Sequence, residues 1–331
     1  MTQKTQTAPL PIEGEFPSLA GATAWLNSAP LAPAGLRGKV VLVDFWTYSC
    51  INWRRSEPYV RAWAEKYKDR GLVVIGVHSP EFAFEHEVDN VRWAAENMRI
   101  EYPIAIDNDF AVWNAFDNDY WPALYFVDAQ GHIRHHQFGE GDYARSERAI
   151  AQLLTEAGVT GIPRNLVSID PGGFEAPADW PDLQSPENYL GYDRSTNFAP
   201  PGAARTDKSH LYAVPAHLEL NHWALAGDWT IGKQSIVLGK AGGQIAYRFH
   251  ARDLHLIAGA RAAGTSVRFR VLLDGRPPGA AHGLDVDEQG YGTVTRPRLY
   301  QLIRQPKPIV DRRFEIEFLD PGVEAYDVTF G

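Results

Sequence analysis

The hydrophobic positions of this chain fall into two regimes. In the first, apolar residues come in unbroken blocks separated by stretches of helical spacing. "VVLVDFW" (40–46) and "LVVIGVH" (72–78) are β-branched and almost continuously apolar, the pattern of strands covered on both faces. Between them Ile51, Tyr59, Trp63 and Tyr67 share one helical face, with Arg61, Lys66 and Lys68 elsewhere, which predicts a helix over 51–70. Pro58 lies inside that stretch and predicts a kink or a break. Residues 85–98 predict a second amphipathic helix, and Asp109 an N-cap for a short helix through Phe116. Residues 123–139 predict a β-hairpin turning at Ala129–Gly131, with Asp128 and Gly131 supplying the turn chemistry. Residues 146–158 predict a last helix closed by a glycine. A β-α-β half followed by a hairpin and a helix predicts an α/β domain whose central mixed sheet is flanked by helices.

In the second regime, from Ser209 onward, short alternating segments follow one another with turns between them. In "SVRFRVLLDG", Val267, Phe269 and Val271 face one way and Arg268 and Arg270 the other. Such strands predict an all-β sandwich, jelly-roll-like in outline. Residues 159–208 show neither pattern. They are rich in Pro, Gly and Asp and predict an irregular connector anchored by Trp180, Tyr189, Tyr192 and Phe198. The expected organisation is a flexible tail over 1–15, the α/β domain over 16–158, the connector over 159–208 and the β-sandwich over 209–331.

Composition narrows the function. At 331 residues the chain has room for two domains, and its net charge of −9 argues against an electrostatic nucleic-acid binder. No apolar run approaches the ~20 residues of a membrane helix. The polar, Pro-rich start "MTQKTQTAPLPIEGEFP" lacks the apolar core of a secretory signal, so a cytoplasmic location is expected, or a periplasmic one if a signal has been removed. Cys50 is the only cysteine, which excludes an internal disulfide.

Cys50 falls where the strand "VVLVDFW" should pass into the first helix. There it meets unpaired backbone N–H groups and the positive end of the helix dipole, both of which favour thiolate over thiol. Arg54 and Arg55, one turn on, are expected to add to this. A thiolate attacks disulfides and peroxides. The competing reading is a small buried hydrophobe, the usual fate of a cysteine outside a disulfide.

"VVLVDFWTYSCIN" resembles the active-site entry of thioredoxin-fold proteins, and "FWTYSCIN" with "YWPALYFVDAQGHIRHHQFGEGDY" (120–143) is similar to the soluble thioredoxin-like domain of the DipZ/TlpA group. "GDWTIG", "AYRFHARDLHL", "VRFRVLLDG" and "FLDPGVEAY" resemble the carbohydrate-binding-module-like domain appended to DipZ proteins. The resemblance implies an oxidoreductase with Cys50 as nucleophile. It implies that Pro122, in the position of a cis-proline, presents backbone groups to the substrate, and that Asp44 is the buried acid that assists the second cysteine. Trp46, Thr47, Tyr48, Trp53 and Trp121 would line the substrate side, and Glu81, in the "HSPEF" loop, would approach it.

The departure is Trp53, which stands where the motif has its second cysteine. Three readings stay open. Cys50 works as a monothiol resolved by an external thiol such as glutathione or thioredoxin. Or it is a peroxidatic, antioxidant cysteine, since Thr47 and Cys50 keep the T-x-x-C spacing, although Val43 replaces the proline. Or catalysis is lost and the chain is a scaffold whose β-sandwich binds a glycan or a protein. No cofactor is expected, and a homo-oligomer stays open. His132, His135 and His136 alternate along one predicted strand and do not converge, so no metal site is expected. Trp223, Trp229, Tyr247 and Tyr291 are candidates for a sugar-stacking platform, or for sandwich core.

Overall fold

The computed structural model describes residues 9–331. They divide into two compact units, one ending at Glu175 and the other beginning at Ala176.

The first unit is built on a seven-stranded mixed sheet. Its strands are β1 (Gly14–Glu15), β2 (Ala24–Leu26), β3 (Val40–Trp46), β4 (Leu72–His78), β5 (Ile104–Ile106), β6 (Ala123–Val127) and β7 (His132–Phe138), in the spatial order β1-β7-β6-β3-β4-β5-β2. β3 runs parallel to β4, and β4 to β5; the other pairs are antiparallel. Every residue of β3 is buried. Val41, Val43 and Phe45 join a core with Ile75, Val77, Phe116 and Tyr125 on one face, while Asp44 and Trp46 lie on the other, against Trp53 of the first helix. Four α-helices accompany the sheet: α1 (Ile51–Tyr67), α2 (Val88–Asn97), α3 (Ala111–Ala115) and α4 (Tyr143–Glu156).

Several local expectations are corrected. α1 is unbroken through Pro58, which is itself buried; a helix held along so much buried surface tolerates the loss of one amide. The cap of α3 is Asp107, not Asp109. Its carboxylate accepts the Val112 and Trp113 N–H groups at 2.9 and 2.8 Å, two residues further from the helix than the sequence rule looks. Of the expected tail, residues 1–8 lie outside the described residues. Gly14 and Glu15 form β1 beside Ile133 and His132, and Arg134 donates to the Leu10 and Pro11 carbonyls.

The 159–208 stretch divides between the units at 175/176. Its first part runs back along α1. Gly161 O accepts from Arg70, Asn165 O from Lys66, and Glu175 pairs with Arg61. Of its four expected anchors, Phe198 packs on Trp223, with ring centroids 4.7 Å apart. Tyr189 lies in a strand beneath the Arg194 guanidinium. Trp180 and Tyr192 are exposed.

The second unit is antiparallel throughout its named strands: β8 (Asn188–Tyr189), β9 (Ser209–Tyr212), β10 (Trp223–Ile231), β11 (Ile236–Leu238), β12 (Gly243–Phe249), β13 (Asp253–Ala260), β14 (Val267–Leu273), β15 (Tyr291–Val294), β16 (Arg298–Arg304), β17 (Arg312–Phe318) and β18 (Val323–Phe330). One layer reads β15-β14-β17-β12-β10 and the other β10-β11-β18-β13-β16. β10 belongs to both. Trp223–Ala226 pair with β12, Trp229–Ile231 with β11, and Gly227 between them has φ +94°. A Cβ there would sit 2.8 Å from Gly243 Cα, so the crossing requires glycine. One hydrophobic core takes side chains from both layers, among them Phe269, Ile316 and Phe318 from one and Leu256, Ala258 and Ala325 from the other.

Candidate active site

Cys50 is the N-cap residue of α1, at the carboxyl end of β3, and is half-buried. Its carbonyl accepts the Arg54 N–H at 3.0 Å, opening the helix, and its own N–H reaches Thr47 O at 3.3 Å. Its Sγ lies 4.0 Å from the carbonyl oxygen of Trp121. The Trp121–Pro122 peptide is cis, and Pro122 is buried. Trp121 packs its ring on Trp113 (4.3 Å between centroids) and donates its indole N–H to Ser79 O at 3.1 Å. The sequence thus brings the end of β3, the loop after β4 and the loop before β6 together at one end of the central strands.

Beneath the sulfur the site is closed. Trp46, Thr47, Tyr48 and Trp53 are all buried, so they shape the surroundings of Cys50 from inside and offer no open surface to a substrate. Trp46 ends a strand buried on both faces, Thr47 and Tyr48 follow it directly, and Trp53 packs onto Trp46 from α1. Trp53 stacks on Trp46 with centroids 4.3 Å apart and donates its indole N–H to Asp44 Oδ2 at 3.0 Å. Asp44 is fully buried, and burial pushes its carboxyl up to about 7 against the Trp53 hydrogen bond, which acts to lower it. One α1 turn from Trp53, Glu57 is likewise pushed up by burial, to about 8, and Arg61 offsets part of this. His78 is enclosed by Trp46 and Tyr48, and burial holds it down to about 3, neutral at physiological pH.

The two arginines after Cys50 lie in different surroundings. Arg55 is buried in an ion pair with Glu140 at 2.9 Å, which meets its charge locally, whereas Arg54 lies over the Phe174 ring at 5.5 Å.

Glu81 sits in the loop after β4, but the carboxylate that reaches the turn before Cys50 is Glu85. Its Oε1 accepts from the Ser49 hydroxyl and amide (2.6 and 3.3 Å), and its Oε2 from the Glu81 and Phe82 amides (2.8 and 3.0 Å). Half of this arrangement is a capping box, in which the third helical residue takes the N-cap amide. The sequence signal for it is hidden because the N-cap position holds Phe82 instead of Ser or Thr.

In the β unit the expected aromatic platform does not form. Trp223, Trp229 and Tyr247 are core residues, and of the four only Tyr291 is exposed. Strand alternation alone could not decide this, because β10 changes layers between Trp223 and Trp229.

Residues 15–136 match the AhpC/TSA family, and residues 185–331 match the family described as thioredoxin like C-terminal domain. The thiol-disulfide oxidoreductase YkuV of Bacillus subtilis is 33% identical over 141 residues, covering 43% of this chain and 95% of YkuV. The chain belongs to the thioredoxin-like family. It is also similar to protein DipZ of Mycobacterium bovis, 41% identical over 270 residues, 80% of this chain. The chain spans only 37% of DipZ's own length. The solution structure of a thioredoxin-like protein in the oxidized form covers 43% of this chain and 96% of its own, with 33% identity and a TM-score of 0.40. The match for the β unit is to the family described as thioredoxin like C-terminal domain. Cys50 thus stands at the start of α1, and Trp53, one turn on, is locked to the buried Asp44.

Proposed function

We propose that the chain is a thiol–disulfide oxidoreductase that works through Cys50 alone. The observation that carries this is the pairing of a half-buried Cys50, set against the Trp121 carbonyl, with a fully buried Trp53 where a resolving sulfur would stand. The Cys50 thiolate attacks one sulfur of a substrate disulfide. The substrate S–S bond breaks, a Cys50–substrate disulfide forms, and the other substrate sulfur leaves as a thiolate that takes up a proton. An external thiol, glutathione or a thioredoxin by class, then attacks the mixed disulfide. It restores the Cys50 thiolate and carries the oxidation away in a new disulfide. Pro122 and the Trp121 carbonyl form the edge against which the substrate peptide is placed. Asp44 supports this as an anchor for Trp53, since its Oδ2 is taken by the indole.

The peroxide reading draws on the AhpC/TSA match, but Thr47, whose hydroxyl would have to meet the peroxide, is fully buried. The test is intact-mass spectrometry after treatment with an aromatic disulfide probe. A single adduct at Cys50 should accumulate, persist after the excess probe is removed, and leave only on adding glutathione. An adduct that leaves without added thiol, or none at all, defeats the monothiol mechanism.

A further inference from the structure

Glu85 is a buried carboxylate that the mechanism above does not use, and its geometry is specific. It is fully buried, and each of its oxygens serves a different loop. Oε1 holds the Ser49 hydroxyl and amide, immediately before Cys50; Oε2 holds the Glu81 and Phe82 amides. The same loop starts with Ser79, whose carbonyl takes the Trp121 indole N–H at 3.1 Å and whose hydroxyl donates to Asp107 at 3.1 Å. One short segment therefore grips both sides of the site: the turn that carries Cys50 and the residue whose carbonyl Cys50 faces.

We propose that Glu85 is a positioning residue, holding the Ser49–Cys50 peptide so that the Cys50 sulfur stands against the Trp121 carbonyl while its buried charge tunes the sulfur's ionisation. The proposal rests on the reading of Cys50 as nucleophile, but it makes an assertion about the thiol that no substrate is needed to check. Glu85 accepts from Ser49, the residue before Cys50; burial pushes its carboxyl up and the Ser49 bond acts to lower it, so whatever charge it carries opposes the thiolate and the Ser49 hydroxyl disperses part of that charge. Substitutions on the two ends of this hydrogen bond should then act in opposite directions, which a purely structural contact would not do. The other titratable groups around the turn are Glu81 on the same loop, Arg54 on α1, and Asp44 and His78 on the strands beneath. All are left in place.

The experiment measures the rate of Cys50 alkylation by iodoacetamide against pH in the full chain, with far-UV circular dichroism and a thermal melt as controls for folding. Glu85→Gln should move the midpoint of the profile down by about half a pH unit or more. Ser49→Ala, which keeps the carboxylate and removes one donor, should move it up by about 0.3 units. Shifts of the same sign, or superimposable profiles in folded protein, overturn the proposal. If Glu85→Gln does not fold, Ser49→Ala decides, and an unmoved midpoint there overturns it. A wild-type protein that alkylates yet forms no adduct with the disulfide probe defeats the oxidoreductase reading and leaves this measurement valid.

Discussion

Trp53 and Asp44 form a closed pair: the indole N–H reaches the carboxylate at 3.0 Å, and both residues are fully buried. The carboxyl's other oxygen, Oδ1, is buried without a hydrogen-bond partner among the described residues. The acid faces the Trp53 ring, so its protonation is tied to the packing of that ring.

Trp53→Phe keeps the stack on Trp46 and deletes the Trp53 donor to Asp44. The expected loss is about 1–3 kcal/mol, the cost of an unsatisfied buried acceptor. Trp53→Cys is the informative companion. Removing a buried ring should cost about 3–5 kcal/mol in urea unfolding, while insulin-reductase activity should appear below the lowered melting temperature. A stable, inactive Trp53→Cys protein would contradict both parts.

The pH dependence of stability has a definite sign. Asp44 rises from 3.8 to about 7 and Glu57 from 4.5 to about 8 on folding. Between roughly pH 4 and pH 8 the folded chain holds protons that the unfolded chain has released. The contribution of these groups is therefore complete below about pH 4 and is lost as pH rises toward 8. Asp44→Asn should flatten the fall by on the order of a few kcal/mol, read from urea midpoints at pH 5 and pH 8.

Glu147 ties the chain after α4 to α1. It is buried and accepts from Lys66 Nζ (2.6 Å), Tyr67 OH (2.9 Å) and Val167 N (2.7 Å). Glu147→Ala leaves the buried Tyr67 hydroxyl without its acceptor and Lys66 with the Asn165 carbonyl alone, and about 1–3 kcal/mol should be lost. Limited proteolysis should then open new cleavage sites in residues 161–167, which the wild type protects.

Asp107 caps α3 and also receives the Ser79 hydroxyl. Asp107→Ala should cost about 1–2 kcal/mol in a thermal melt. It should also loosen Ser79, and with it Trp121, measurable as faster amide exchange at Ser79 and Trp121 than in wild type.

The fold was legible where burial and period agree. β3 and β4 are unbroken apolar runs, and both are strands buried on each face; the turn at Asp128–Gly131 follows from its side-chain chemistry, with Asp128 Oδ1 accepting the Gln130 and His132 amides. Cys50 was legible because a strand end followed by a helix start is a local pattern. What escaped depends on contacts distant in the chain. Glu85 bridges 36 residues to Ser49, and Asp107 caps across a two-residue gap. Trp53 could be placed one turn from Cys50, but its partner Asp44 is set by how α1 crosses β3. Burial also cannot be read from residue type: Trp223 and Trp229 are core while Trp180 is exposed.

Because β10 is hydrogen-bonded into both layers of the β unit, neither layer is a separable piece. Denaturant or force that frees one from its partner must break the same strand out of the other, so the unit should unfold in one cooperative transition. Gly227 is where that cooperativity is concentrated. Gly227→Ala, which drives a methyl group toward Gly243 at 2.8 Å and strains a backbone at φ +94°, should lower the midpoint for both layers together, seen as coincident tryptophan-fluorescence and circular-dichroism curves.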